Sequence, residues 1–356
     1  MSEQVEVGSI SARRGSRTFG YLPVATSANG GDLRIGGHIL AGAKTGPKMV
    51  VMAGSHGNEL APMAGVKKVV EEVDPSRMAG DLIVIPVQNP VAFEMGARGT
   101  WIDGLWGDSG NMNRLWPGRA NGWLTERFTH VISSSAFPGA NVIMDLHGPT
   151  PDLHLSYGYL GGGAPGDLDY DVARAFGQEM LVWNSTDDLK EKNQTTSTAK
   201  AAARIEGYSS YSGEMGEFYG LADSNNRSDR ATAHRDPVEL GFTGITNVMK
   251  HLGMIDGAIK LPARQISVTP ELNLRPKHGG LLITNVGVED LGTVVPRGTV
   301  LGTVVSPYSF AVLDEIVAPF DQSLLIATQF HQPFTKVHPG EFVYIVADNT
   351  RTEVLT

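Results

Sequence analysis

The sequence predicts an α/β fold followed by an all-β C-terminal part. From about Leu33 to Met254, short apolar runs alternate with amphipathic stretches, the pattern left by strands and helices wound together. KMVVMAG (48–54), DLIVIPV (81–87) and ANVIMDL (140–146) are too short for buried helices. All three are rich in Val, Ile and Met, as strands covered on both faces are. After Gly257 the helical period disappears. GGLLITNV, GTVVPRGTVLGTVVS, EIVAPF, SLLIAT and EFVYIVAD are β-type runs divided by Gly, Pro, Asn and Asp.

Taken in chain order, the first ~30 residues read as an extension or edge element ahead of the first core strand. Between the first two core strands, residues 60–73 place Met63, Val66, Val70 and Val73 at helical spacing, with acids and lysines opposite. That segment is a crossover helix, and strand, helix, strand in this order implies parallel pairing through a right-handed connection. Further helices are expected over 123–134, 169–180 and 237–252, and the polar stretch 184–203 reads as an exposed loop leading into a short helix. The chain therefore divides into an α/β domain over residues 1–257 and a β-rich domain over 258–356. Composition assigns the second no chemistry; its expected role is packing, homo-oligomerisation or partial covering of a site mouth. The turn at 318–323 faintly resembles those of biotinyl and lipoyl carrier domains, but it offers no lysine to modify.

Composition narrows the function. A formal net charge of -9 with 19% charged residues leaves no broad basic surface, so neither nucleic acid nor an anionic membrane is an expected partner. The N-terminal MSEQVEVGSISARRGSR is polar, and no run approaches the ~18 apolar residues of a membrane span, so the expected compartment is the cytoplasm. The absence of cysteine removes disulfides, thiolate nucleophiles and cysteine-ligated metals. Metal chemistry is left to His, Asp and Glu.

His56-Gly-Asn-Glu59 directly follows KMVVMAG and opens the crossover helix, so it is a strand-to-helix turn at the carboxyl end of a strand, where ligand crevices of open α/β sheets lie. An imidazole and a carboxylate separated by two residues can approach one cation together, and catalytic zinc sites take three such ligands and leave a position for water. Asp-Leu-His occurs twice within VIMDLHGPTPDLHLS. His147 ends a core strand, as His56 nearly does, whereas His154 follows two prolines and nothing places it at a sheet edge. His147 is the expected third ligand. Asp145, two residues earlier on the same strand face, can orient its ring.

A base is also needed, and Glu214 and Glu217 in SGEMGE are both candidates that the residues alone do not separate. Arg114 beside Asn113 offers a guanidinium fork and an amide suited to a substrate carboxylate. Arg98 could stabilise an oxyanion.

With these pieces in place, the chain resembles the succinylglutamate desuccinylase/aspartoacylase family over roughly residues 45 to 255, and its β-rich tail resembles that family's C-terminal domain. His56-Gly-Asn-Glu59 matches the His-x-x-Glu ligand pair, and Asp145-Leu-His147 matches the strand supplying the third ligand. Asn113-Arg114-Leu-Trp-Pro-Gly is similar to the Asn-Arg-x-Phe-Pro-Gly carboxylate-binding segment, and Arg98 takes the place of the upstream arginine, with a longer spacing through 99–108. Glu214-Met-Gly is similar to the family's Glu-x-Gly, which favours Glu214 over Glu217 as base.

The resemblance implies a zinc-carboxypeptidase-like mixed sheet flanked by helices. It also implies one Zn2+ per chain on His56, Glu59 and His147, and hydrolysis of the amide bond of an N-acyl amino acid or related small amide. The alternatives are a metallocarboxypeptidase acting on short peptides and a non-catalytic protein that grips a small carboxylate.

Overall fold

A computed structural model of the chain describes residues 3–100, 110–148, 153–160, 164–183, 198–216, 236–269, 271–328 and 334–355. A hairpin of β1 (Gln4–Val7) and β2 (Ile10–Arg13) packs on β3 (Ser16–Thr26) and β4 (Asp32–Ala41). The core strands expected from the sequence are β5 (Lys44–Ala53), β6 (Ala79–Ile85) and β7 (Val142–His147). Every residue of β7 is buried, as are Met49–Ala53 of β5, which accounts for their mostly apolar runs. Beyond β7 lie β8 (Leu153–His154), β9 (Tyr157–Leu160), β10 (Met180–Trp183), β11 (Ser209–Glu214) and β12 (Gln265–Val268).

The helices are α1 (Leu60–Glu72), α2 (Pro90–Glu94), α3 (Leu124–Ala136), α4 (Leu168–Phe176), α5 (Ala199–Ile205) and α6 (Pro237–His251). Among the described residues, none is long and apolar enough to cross a membrane.

The remaining strands form two smaller sheets. One takes β13 (Glu271–Leu274), β15 (Val294–Val295), β18 (Ser323–Thr328) and β20 (Tyr344–Asp348), with β8 paired to β18. The other takes β14 (Gly280–Thr284), β16 (Val300–Val305), β17 (Val312–Val317) and β19 (Phe334–Val337). The last strand, β21 (Glu353–Leu355), returns to the large sheet.

That sheet has ten strands in the order β21-β12-β10-β9-β11-β7-β5-β6-β4-β3. It is mixed: β6, β5, β7 and β11 run parallel, as the crossover helix requires, while β4 and β9 join them antiparallel on either side. The carboxyl ends of β5, β7 and β11 consequently share one rim.

Two expectations need correction. The helix expected over 169–180 stops at Phe176, because Gly177 turns left-handed at φ 91°, and Met180 already begins β10. In α1 the buried stripe runs through Pro62, Gly65, Val66 and Val69, while Met63 and Val70 are only partly covered. The reason is helix packing: a side chain at Gly65 would meet Gly241 Cα at 3.1 Å, so α1 and α6 approach backbone to backbone on a face that carries little hydropathy. Burying Val66 and Val69 in the core that α1 covers contributes about 1.5–3 kcal/mol each.

One apolar core lies under α1, α4 and α6, and a second lies under the N-terminal hairpin, α3 and α5. A third joins Leu155, Tyr157, Met180, Val182 and Ile266 to Leu282, Leu301, Leu325 and Val346 of the smaller sheets. The change of texture at Gly257 is thus crossed by hydrogen bonding and by packing, since β12 and β21 extend the large sheet and the third core spans both parts.

Candidate metal centre and active site

The turn between β5 and α1 is built around two glycines. Gly54 adopts φ 69°, and a Cβ on Gly57 would stand 2.0 Å from the Ala92 carbonyl carbon, so the backbone of α2 lies directly on the turn. This packing drives His56 and Glu59 inward, and both are buried. Glu59 sits at the N-cap position of α1 but makes no capping bond. Its carboxylate is directed to the imidazoles instead: Oε1 lies 2.6 Å from His56 Nδ1, and Oε2 lies 3.0 Å from His147 Nδ1 and accepts from Gly148 N at 3.2 Å.

One donor atom from each of His56, Glu59 and His147 falls within 4.8 Å of the others. Two imidazole nitrogens and a carboxylate, buried and converging, form a donor set that suits a tetrahedral zinc site with one position left open. His147 also has the outer support typical of a ligating histidine: Nε2 contacts Asp145 Oδ2 at 2.9 Å, and Asp145 Oδ1 accepts from Gln88 Nε2 at 2.7 Å.

The electrostatics are those of a site arranged around positive charge. Burial alone would raise the Glu59 carboxyl, but the charge of His56 and hydrogen bonds from both rings hold it well below the usual carboxylate range. Burial lowers His56, with Glu59 opposing. Burial also acts to lower His147, yet Asp145 and Glu59 outweigh it and raise that ring well above its ordinary value.

The other expected residues gather around this cluster to different degrees. Glu214 ends β11 directly opposite His147 in the parallel ladder, with Ser212 opposite Asp145. Partners in register on neighbouring parallel strands point to the same face about 5 Å apart. Arg98 Nη1 donates to Glu59 Oε1 at 3.1 Å. Asn113 Nδ2 lies 3.4 Å from His147 Nε2, whereas the exposed Arg114 turns back to donate to the Asn113 carbonyl at 2.7 Å. Glu217 lies outside the described residues. The backbone of His154 pairs with Ala327 of β18, in a different sheet from His147.

Two residues of the cluster were not singled out from the sequence. Asn111 Oδ1 lies 3.2 Å from His56 Nε2, so it stands to His56 as Asp145 stands to His147. Gln88 is the other, and it carried an available signal: it follows DLIVIPV at a strand's carboxyl edge, as His56 follows KMVVMAG.

Residues 45–234, just over half of the chain, match the succinylglutamate desuccinylase/aspartoacylase catalytic domain. The chain belongs to the succinylglutamate desuccinylase/aspartoacylase family. Among curated proteins it is similar to the N-alpha-acetyl-L-2,4-diaminobutyric acid deacetylase of Halomonas elongata, 24% identical over 311 residues that cover 85% of this chain and 82% of the relative. Solved structures share the fold nearly end to end. The succinylglutamate desuccinylase/aspartoacylase from Rhodobacter sphaeroides superposes with TM-score 0.77 at 21% identity, covering 96% of this chain and 98% of its own. The product-bound ectoine utilization protein EutE (DoeB) from Ruegeria pomeroyi gives TM-score 0.76 at 20% identity, covering 98% and 99%. The fold expected for the family, a mixed sheet flanked by helices with strand-rich C-terminal sheets, is the fold observed.

Proposed function

We propose that the protein is a zinc-dependent hydrolase that cleaves the amide bond of an N-acyl amino acid or a related small amide. The observation that carries this reading is the convergence of His56, Glu59 and His147 at the sheet rim where Glu214 stands in register with His147. His56, Glu59 and His147 would hold the ion, with Asn111 and Asp145 fixing the two rings and Gln88 fixing Asp145. Zinc bound there supplies a Lewis acid for the amide carbonyl and lowers the pKa of water to near neutrality.

The protein's own groups do the rest. Glu214 takes a proton from the water that adds to the carbonyl carbon and passes it to the nitrogen as the C–N bond breaks, leaving a carboxylate and an amine. Arg98 adds positive charge beside the developing oxyanion. Asn113 and Arg114 anchor a substrate carboxylate, which requires the Arg114 side chain to turn from the Asn113 carbonyl toward the ligand.

The similarity to a deacetylase of N-acetylated diaminobutyric acid favours N-acetyl substrates with an amino acid scaffold. The test is a screen of zinc-loaded protein against N-acetyl and N-succinyl amino acids and, in parallel, dipeptides. Turnover of the acyl amino acids, lost in Glu214→Gln with metal content unchanged, supports the reading. Preferential turnover of dipeptides replaces it with a carboxypeptidase, and stoichiometric binding without turnover replaces it with a binding protein.

A further inference from the structure

The end of β11 is held by a hydrogen-bond network that the chemistry above does not use. β11 runs parallel to β7 but antiparallel to β9, and the antiparallel ladder contains only Gly213↔Gly158 and Glu214↔Tyr157. At this junction the peptide that follows Glu214 is fixed on both sides. Met215 N donates to the His147 carbonyl at 2.7 Å, and the Glu214 carbonyl accepts from Gln178 Nε2 at 2.8 Å and from Ser156 Oγ at 3.1 Å.

Gln178 is 1% exposed, and its amide is fully committed. Nε2 donates to Glu214 O and, at 2.9 Å, to Ser156 Oγ, while Oε1 accepts from the Tyr211 hydroxyl. Burial, with the Glu214 charge adding, raises the Tyr211 phenol well above its ordinary value, so it keeps the proton it donates. Two glycines clear the space for this contact. A Cβ at Gly158 would stand 2.4 Å from the Tyr211 hydroxyl and 2.6 Å from Gln178 Oε1, and one at Gly213 would stand 2.7 Å and 3.0 Å from the same atoms.

We infer that Gln178, braced by Tyr211, is a positioning residue that fixes the Glu214 peptide and so aims the Glu214 carboxylate at the reacting water. The inference rests on Glu214 acting as the base. Gln178 lies 36 residues from Glu214, two residues ahead of β10, and its side chain bonds to Glu214 O, Ser156 and Tyr211 rather than to a candidate ligand. Its loss therefore changes the direction of the carboxylate and leaves the ion and the substrate anchor in place. Misplacing a reacting group by about 1 Å costs about 100-fold in rate.

The experiment compares Gln178→Leu, Gln178→Glu, Tyr211→Phe and Glu214→Gln, singly and with each Gln178 or Tyr211 variant combined with Glu214→Gln. Zinc content and melting curves are recorded alongside kcat and KM for the best acyl amino acid. Gln178→Leu is expected to lower kcat by about 10- to 100-fold with KM and zinc content unchanged. Gln178→Glu, which replaces the donor amide by an acceptor facing two oxygens, is expected to do at least as much. Tyr211→Phe loses only the brace and is expected to cost several-fold; it carries the test if either Gln178 variant fails to fold.

Combined with Glu214→Gln, these changes are expected to cost nothing further, because the group they aim is already gone. Wild-type kcat in folded Gln178→Leu, or in Tyr211→Phe where Gln178→Leu does not fold, overturns the inference. So does an additive loss on the Glu214→Gln background. Full activity in Glu214→Gln itself instead rejects the underlying assignment of the base.

Discussion

Lys200 offers a measurable penalty inside the fold. It lies on α5 and is 8% exposed, and its ammonium has no hydrogen-bond partner among the described residues; the Tyr159 ring stands 5.3 Å away. Burial, with the Arg204 charge adding and Asp169 opposing, lowers its pKa from 10.5 to about 7. At ~1.4 kcal/mol per pH unit, holding this amine protonated in the folded state costs roughly 5 kcal/mol.

The sign follows from proton uptake. Between about pH 7 and 10.5 the unfolded chain carries the proton and the folded chain does not, so stability rises with pH across that window. Below it both states are protonated and the full penalty applies; above it both are neutral and the penalty is gone. Lys200→Met removes the titration and keeps an unbranched side chain of similar reach. The variant is expected to be more stable than wild type near neutral pH, with an advantage that shrinks by about 1.4 kcal/mol for each pH unit between about 7.5 and 9.5. Urea unfolding of both proteins at about pH 6.5, 8 and 9.5 reads this directly. A stability difference that stays constant across those pH values refutes the reasoning.

Gly57→Ala would put a methyl group against the Ala92 backbone, so a loss of about 3 kcal/mol in thermal or urea unfolding is expected, together with reduced metal uptake as the His56 turn is displaced. Gln88→Leu leaves Asp145 without its amide donor and is expected to weaken metal affinity about 10- to 100-fold in a chelator competition. Removing metal by dialysis against a chelator should lower the melting temperature, and zinc should restore it, since the ion binds the folded donor set. His147 has to give up a proton that its neighbouring carboxylates hold tightly, so calorimetric affinity should rise with pH and uptake should release about one proton per ion.

The parts of this molecule that were legible in its sequence are those where burial is one-dimensional. β5 and β7 lie between neighbours on both faces, so their carboxyl halves are mostly apolar, and the polar residues at or just past their ends, His147 and His56, mark the rim. Contacts that arise only when distant segments meet leave no such trace. The Gly65–Gly241 approach shifted the buried stripe of α1, and Asn111 gains its meaning only from His56, which lies 55 residues away. The helical spacing over 169–180 reaches Met180, the first residue of β10, although the glycine at 177 is a helix stop in its own right.

The seam at β8 bears on how this protein can be shortened. Six residues after His147 the chain is already bonded to β18, and Leu155, Tyr157, Met180 and Val182 are kept dry by side chains contributed after Gly257. A cut at that glycine would wet those four residues and unfasten the segment leading out of the histidine strand. A trimmed catalytic half would therefore need a substitute lid, either new polar surface on β9 and β10 or a partner that reproduces the missing wall.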